Sequence, residues 1–166
     1  MAKEILFSVT PPPGVTTEFK GTKPQIDNDD FQGGEYQKAT SFTDSTVVQH
    51  DREGNPQGIT QKNYHLTKKV DNDTPFFKEC CHSSLVIPEI KFTLFEKLKG
   101  DTYSVPFFTI TLSDVVVTED TIKLLDTNVE DNRSIHYVEE ILLSAQKVKW
   151  EYDRDALSYS TEFKVP

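Results

Sequence analysis

Three adjacent side chains, Cys80, Cys81 and His82, are the densest chemistry in this sequence. A thiol nucleophile needs a general base in reach and a third group to orient that base. A zinc site needs two further ligands, and adjacent cysteines make poor tetrahedral partners. Neighbouring residues on a helix point about 100° apart, so the pair also rarely closes a disulfide. The plain reading is two small apolar thiols on a short helix. His82 then lies near the helix C-terminus, where a cation is mildly favoured. His50, His65 and His136 are scattered, without the spacing of a metal-binding helix. No serine sits in a G-x-S-x-G elbow. A Ser-His-Asp triad assembles in space, but nearly any chain of this size holds those residue types.

Two acidic runs, 27–30 and 71–73, hint at calcium loops. Neither has the glycine at position 6 or the terminal glutamate of an EF-hand. The second run reads better as a helix cap and the first as a solvated loop. Gly33-Gly34 and Gly21-Thr22-Lys23 fail the spacing of a phosphate-binding loop. Asn132-Arg133-Ser134 matches a glycosylation site but lacks a secretory route to use it. Trp150 and Tyr152 could form a binding platform, yet on a period-two face they are more often core. No catalytic residue, metal or cofactor is expected.

The bulk properties agree with a structural or binding role. The 166 residues suit one domain spanning 1–166 with one sizeable core. There are 18 basic and 27 acidic residues, giving a net charge of −9. That charge repels phosphate backbones and anionic lipid, so nucleic acid and membrane insertion are poor partner choices. It favours solubility at high concentration. Two adjacent cysteines do not make a disulfide scaffold, and a reducing compartment is expected. The first apolar run, Ile5–Val9, is too short for a signal peptide and ends in three prolines.

The elements that would position these groups are mainly strands. Ile5–Val9 reads as a first strand, and residues 11–37 as a long irregular segment broken by prolines and glycines. A loop of that length is usually functional or mobile. Ala39–Gln49 reads as one strand and residues 50–58 as a polar turn. Thr60–Val70 alternates, with Tyr64, Leu66 and Val70 on one side and Asn63, His65, Thr67 and Lys69 on the other. Asp73 or Thr74 is placed to cap a helix over Pro75–His82, with Pro75 at its first position. Phe76, Phe77, Cys80 and Cys81 are candidates for its buried face. Ile90, Phe92 and Leu94 alternate, as do Phe108, Ile110 and Leu112, and the turn at 98–102 joins the two runs as a hairpin. Val115–Val117 extends the second run, and 126–134 is a polar loop. Ile141–Ser144 and Val148–Tyr152 follow, and Leu157, Tyr159 and Phe163 share a face of the last strand. Seven or eight strands and one short helix suit a small antiparallel barrel or sandwich.

In this order the parts resemble the Hcp family of type VI secretion proteins. LTKKVDNDTPFFKECC (66–81) resembles that family's strand running through Thr-Lys and an acidic residue into a Thr-Pro helix start. KFTLFEK (91–97) with PFFTITLSDVVV (106–117) resembles its next two strands. EEILLSAQKVKWEYD (139–153) resembles its late strand with Trp-x-Tyr. The resemblance covers about residues 38–152, and the first 37 depart from it. It implies a mainly β fold: a small antiparallel two-sheet β-barrel with one short α-helix, related to phage tail-tube proteins. It also implies a hexameric ring with an open lumen, and rings stacked into the inner tube. Sheath, spike and effector proteins would be its partners. The protein would be cytoplasmic when assembled and secreted through the apparatus without a signal peptide. The loop that contacts a neighbour in such rings falls here on Asp51, Arg52, Glu53, Asn55 and Gln57. A closed ring uses a heterologous interface and covers strand edges that otherwise template aggregation.

Two rival readings stand beside it. A monomeric β-barrel module binding a small ligand predicts an apolar cavity. A small hydrolase using Cys80 or Cys81 predicts a thiol of lowered pKa.

Overall fold

Apolar side chains at every second residue build strands, and strands dominate this chain. The computed structural model describes residues 3–22, 26–31, 35–124, 126, 128, 130 and 137–163. In chain order the strands are β1 (Glu4–Thr10), β2 (Gln37–Ala39), β3 (Ser41–Thr43), β4 (Thr46–His50), β5 (Pro56–Gln61) and β6 (Tyr64–Lys69). Helix α1 (Thr74–His82) is followed by β7 (Val86–Glu96), β8 (Val105–Lys123), β9 (Val138–Tyr152) and β10 (Leu157–Glu162). One 3-10 turn covers Asp29–Phe31.

Eight strands form one antiparallel sheet in the order β2-β1-β7-β8-β9-β6-β3, with β10 paired to β9. The two ends of that path, β2 and β3, are separated in the chain by Thr40 alone. The Thr40 N–H and hydroxyl both donate to the Thr67 carbonyl, at 2.8 and 2.9 Å. The sheet therefore curls until its ends almost meet, giving a nearly closed barrel. β4 and β5 form a separate two-stranded sheet. This is the mainly β, two-sheet, one-helix architecture the sequence points to.

The barrel interior is aromatic. Phe7, Phe19, Phe76, Phe77 and Phe92 are all at most 4 % exposed. Phe19 and Phe76 meet edge-on at 5.6 Å, and Phe42 stacks on Phe92 at 4.1 Å. Each fully buried Phe contributes about 1.5–3 kcal/mol of burial. A two-turn helix cannot hold itself; α1 is held because Phe76, Phe77 and Cys80 enter this core.

Several local expectations need correction. The Ala39–Gln49 run is three pieces, because the turn at Thr40 and the break at Asp44-Ser45 hand the chain to different partners. Thr60–Val70 likewise breaks at 62–63, and Val70 is exposed. The inward position after Leu66 belongs to Lys68. Ile141–Ser144 and Val148–Tyr152 are one strand, β9, whose first half lies between β8 and β6 and whose second half lies between β8 and β10. Most of the 126–134 loop lies outside the described residues.

The helix start also differs from expectation. Asp73 occupies the N-cap position but makes no side-chain cap. Asp71 instead accepts from the Asp73 N–H at 2.9 Å, and the Thr74 hydroxyl accepts from the Asp71 N–H at 3.1 Å. The Asp73 carboxylate is spent on the N-terminal segment. It accepts from Lys20 N–H (2.7 Å), Gly21 N–H (3.0 Å) and Gln37 Nε2 (2.6 Å). Gly21 is required there: its φ is +68°, and a Cβ would lie 2.7 Å from the Tyr36 carbonyl oxygen. Glu79 clamps the same segment by accepting from the N–H and hydroxyl groups of Thr16 and Thr17. Those bonds, chiefly the Thr17 hydroxyl, hold the Glu79 pKa down to about 2.

The described part of the irregular stretch is thus strapped onto the barrel. Farther along it, Ile26, Phe31 and Tyr36 pack with Leu6 and Phe95 in a second apolar cluster. A bulge between Leu94 and Phe95 accompanies the change. Phe95 is buried at 1 % exposure, while Leu94, expected beside Ile90 and Phe92, is only partly buried.

Candidate subunit interface

The predicted interface residues Asp51, Arg52, Glu53, Asn55 and Gln57 lie at the tip of the β4–β5 ribbon. The sequence reads 50–58 as a loop. In the structure its second half is strand, and only the short turn between His50 and Pro56 is irregular. Thr46 pairs with Gln61, Val47 with Thr60, Val48 with Ile59 and Gln49 with Gly58.

A two-stranded ribbon is marginal by itself, so its two ends are informative. At the tip, the Asp51 carboxylate accepts from Glu53 N–H and Asn55 N–H, both at 2.9 Å. It also accepts from Asn55 Nδ2 and Gln57 Nε2, both at 3.2 Å. These bonds, led by the Asn55 N–H, hold the Asp51 carboxyl below its ordinary range. Gly54 turns the chain at φ +85°. Asp51 is therefore consumed within the tip, while Arg52, Glu53, Asn55 and Gln57 remain exposed. At the base, Asp44 accepts from Trp150 Nε1 at 2.7 Å and from Gln61 Nε2 at 2.9 Å. The Lys62 N–H closes the base onto the Ser45 carbonyl at 3.0 Å.

Between these fixed ends the ribbon buries no residue. Val47, Val48 and Ile59 are 37 %, 42 % and 70 % exposed. β10 is similar: Leu157 is 63 % and Tyr159 is 67 % exposed, although Tyr159 stacks on Trp150 at 5.9 Å. Among the described residues β10 pairs only with β9, which leaves its other edge open. A groove of about 690 Å³ runs between the two features, lined by Ile59, Trp150, Tyr159 and Phe163 among others. The sequence identified the tip but not these flanks. Their signal was present, since β-branched and aromatic residues in short runs mark strands even where no face is buried.

The other candidates are not brought together. His50 and His65 are exposed on different strands, and His136 lies outside the described residues. Both cysteines are free. Cys80 is fully buried, and burial, aided by Glu79 and Cys81, pushes its thiol up to about 12. This is opposite to what nucleophilic catalysis by that thiol requires. Asp27 accepts from Ser104 N–H at 2.8 Å and from Lys97 at 3.0 Å, so the first acidic run is pinned to the β7–β8 turn. No group of three potential metal ligands occurs among the described residues. No helix among them is long and apolar enough to cross a membrane.

What the sequence missed is a buried charge cluster beneath α1. Lys68 Nζ is fully buried and lies 2.7 Å from both Asp71 Oδ1 and Glu139 Oε2, with Glu139 also fully buried. The Thr74 hydroxyl donates to Glu139 Oε2 at 2.6 Å. This cluster knits β6, α1 and β9 together.

The likeness to known proteins is consistent. Residues 17–152 match the family described as type VI secretion system effector, Hcp. No curated protein matches the sequence. Among solved structures, one described only as Hcp protein superposes with a TM-score of 0.82 at 20 % identity, covering 99 % of this chain and 100 % of that one. Hcp1 from E. coli EAEC 042 gives 0.75 at 16 % identity, covering 99 % of each chain. The secreted protein Hcp3 from Pseudomonas aeruginosa gives 0.73 at 15 % identity, covering 99 % and 100 %. The fold of these structures is shared over nearly the whole length, and with most of its sequence matched, this chain belongs to the Hcp family of type VI secretion proteins.

Proposed function

We propose that this chain is a structural, non-enzymatic subunit of the type VI inner tube, forming hexameric rings that stack and carry effectors. One observation carries the reading: a ribbon fixed at both ends stands off the barrel with exposed aliphatic flanks. Across a groove from it lies a strand edge, open among the described residues, that carries the exposed Leu157 and Tyr159. A ribbon and an edge on one molecule are two different patches. Contact between them on successive copies is heterologous, and such contacts close into a ring when the rotation is right. Asp51 sets the shape of the tip, and Arg52, Glu53, Asn55 and Gln57 present it to the neighbour. The whole chain 1–166 acts as one domain in this assembly. Sheath, spike and effector proteins are the further partners. The subunit is assembled in the cytoplasm and leaves through the apparatus. Negative-stain electron microscopy tests this directly. Six-fold rings with an open centre are expected, and a field of small compact particles would contradict it.

The groove also favours a second reading, a monomeric ligand-binding barrel, because its volume falls within the usual range of ligand sites, about 300–1,000 Å³. That reading predicts saturable small-molecule binding by a monomer.

A further inference from the structure

Among the described residues, Asp120 has both carboxylate oxygens buried without a hydrogen-bond partner. It sits on β8 just beyond a bulge between Val117 and Glu119, paired across the ladder with Ile141. Its side chain is 1 % exposed, yet neither carboxylate oxygen has a hydrogen-bond partner. Lys78 of α1 stands 3.5 Å from Oδ1 and spends its short hydrogen bond, 2.6 Å, on the Asp120 carbonyl. The group that faces Asp120 from β9 is another acid, Glu139, in side-chain contact with it.

Glu139 repeats the puzzle on one oxygen only. Its Oε2 accepts from Lys68 and from Thr74, while its Oε1 is buried without a partner. Lys68 has no donor to spare for Oε1. Its remaining contacts are Asp71 at 2.7 Å, the Lys69 carbonyl at 3.1 Å and the Thr74 hydroxyl at 3.3 Å. Two carboxylate oxygens with no partner, and a third with only Lys78 at 3.5 Å, are a heavy desolvation cost beside each other unless a proton lies between them. A single proton removes most of it. A protonated Asp120 donates to Glu139 Oε1, and Glu139 keeps Oε2 for Lys68 and Thr74.

We propose that a proton on Asp120, shared with Glu139, forms a pH-responsive latch that ties β8 to β9 across residues 119–123 and 138–142, beside the Lys78 contact to α1 and the Lys68 contact to β6. The charged groups facing the latch are Lys78 from α1, Glu139 from β9 and, behind Glu139, Lys68 of β6 with Asp71 of the β6–α1 connection. Burial first, then Glu139, raises the Asp120 carboxyl to about 7 against the pull of Lys78. The folded state therefore binds a proton that the unfolded state has released. The latch is fully made below the ordinary carboxylate range and is lost as pH rises through about 7. Above that, an ionised Asp120 faces Glu139 Oε1 with no proton between them, and the local response is for the Asp120 end of β8 to move off β9 and admit water.

Asp120→Asn tests this, because the amide donates the same hydrogen bond at every pH. The variant-minus-native difference in Tm is expected to be near zero at about pH 3, to grow in the variant's favour as pH rises to about 7, and to level off above that. In the native protein, infrared spectroscopy with labelled Asp should show a protonated-carboxyl stretch at about pH 6. That band should fade by about pH 8 and be absent from the variant. A Tm difference that is negative and independent of pH would mean that Asp120 is an ordinary ionised partner of Lys78 and would overturn the proposal. Absence of the band from the native protein would overturn it too, and that measurement decides the matter even if the variant does not fold.

Discussion

Lys68 shows how one residue can be decisive and still escape a pattern-based reading. It follows Leu66 at the next inward position of β6, under the ring of Phe77 at 5.7 Å, and is fully buried. A lysine in a half-polar strand reads as surface by default. Its burial depends on Glu139, which is remote in sequence and meets it only because β9 pairs with β6. Removing one partner of a buried pair leaves the other charge uncompensated. Lys68→Ala is therefore expected to cost about 3–5 kcal/mol, visible as a Tm loss on the order of 10 °C. A loss within 2 °C or so would show that Glu139 finds water or a proton instead. Asp51 shows the opposite case. It was legible in the sequence as part of a turn proposed to meet a neighbour, and its carboxylate also shapes that turn through hydrogen bonds that no local pattern records. Asp51→Ala should leave the thermal midpoint of the dissociated subunit nearly unchanged. It should weaken ring formation, read as a lower hexamer fraction in a dilution series by analytical ultracentrifugation.

At the scale of elements, legibility tracked burial on one face. β7 and β8 were readable because Ile90, Phe92, Ile110 and Leu112 alternate with polar residues and enter one core. β9 was read as two strands because Ser144, Gln146 and Lys147 are exposed where its neighbour changes from β6 to β10. Of the β4–β5 ribbon, 46–49 and 60–61 fell within runs read as strand, but 50–58 was read as a turn, because no residue of the ribbon is buried to give the start of β5 a period of two. That same property makes the ribbon testable. Ile59→Lys or Val48→Lys places a charge on an exposed flank, where folding of the isolated subunit tolerates it. The Tm of the subunit should move by no more than about 0.5 kcal/mol equivalent, while native mass spectrometry should show a shift from rings to monomers. Unchanged ring content would remove the ribbon flanks from the interface. The N-terminal strap makes a separate prediction. Glu79 has a depressed folded pKa, so its contribution is present above its ordinary value and lost as pH falls through about 2. Glu79→Ala should therefore speed proteolysis near residues 15–22 at neutral pH without dissolving the core.

For the whole molecule, charge opposes assembly. Each subunit carries −9, so a ring gathers like charges into one particle. Salt screens repulsion between exposed charges over about 10 Å at 0.1 M, whereas the proposed burial of the exposed Val47, Val48, Ile59, Leu157 and Tyr159 against neighbours would not be weakened by it. Ring content is therefore expected to rise from low to physiological ionic strength, and a fall would assign the interface to salt bridges instead. The barrel strands were readable from periodicity, α1 from its Asp-Thr-Pro start, and the family from the order of its motifs. The near-closure through Thr40, the strap over α1 and the buried charge cluster depend on contacts between distant segments, which no local pattern records.

The claim on which this account turns is the ring, and the measurement that bears on it most directly is the absolute mass of the native particle. Light scattering coupled to size exclusion at physiological salt should give about six times 18.9 kDa. A mass of 18.9 kDa that persists as concentration is raised would contradict it and leave the barrel a monomer with an unpartnered ribbon.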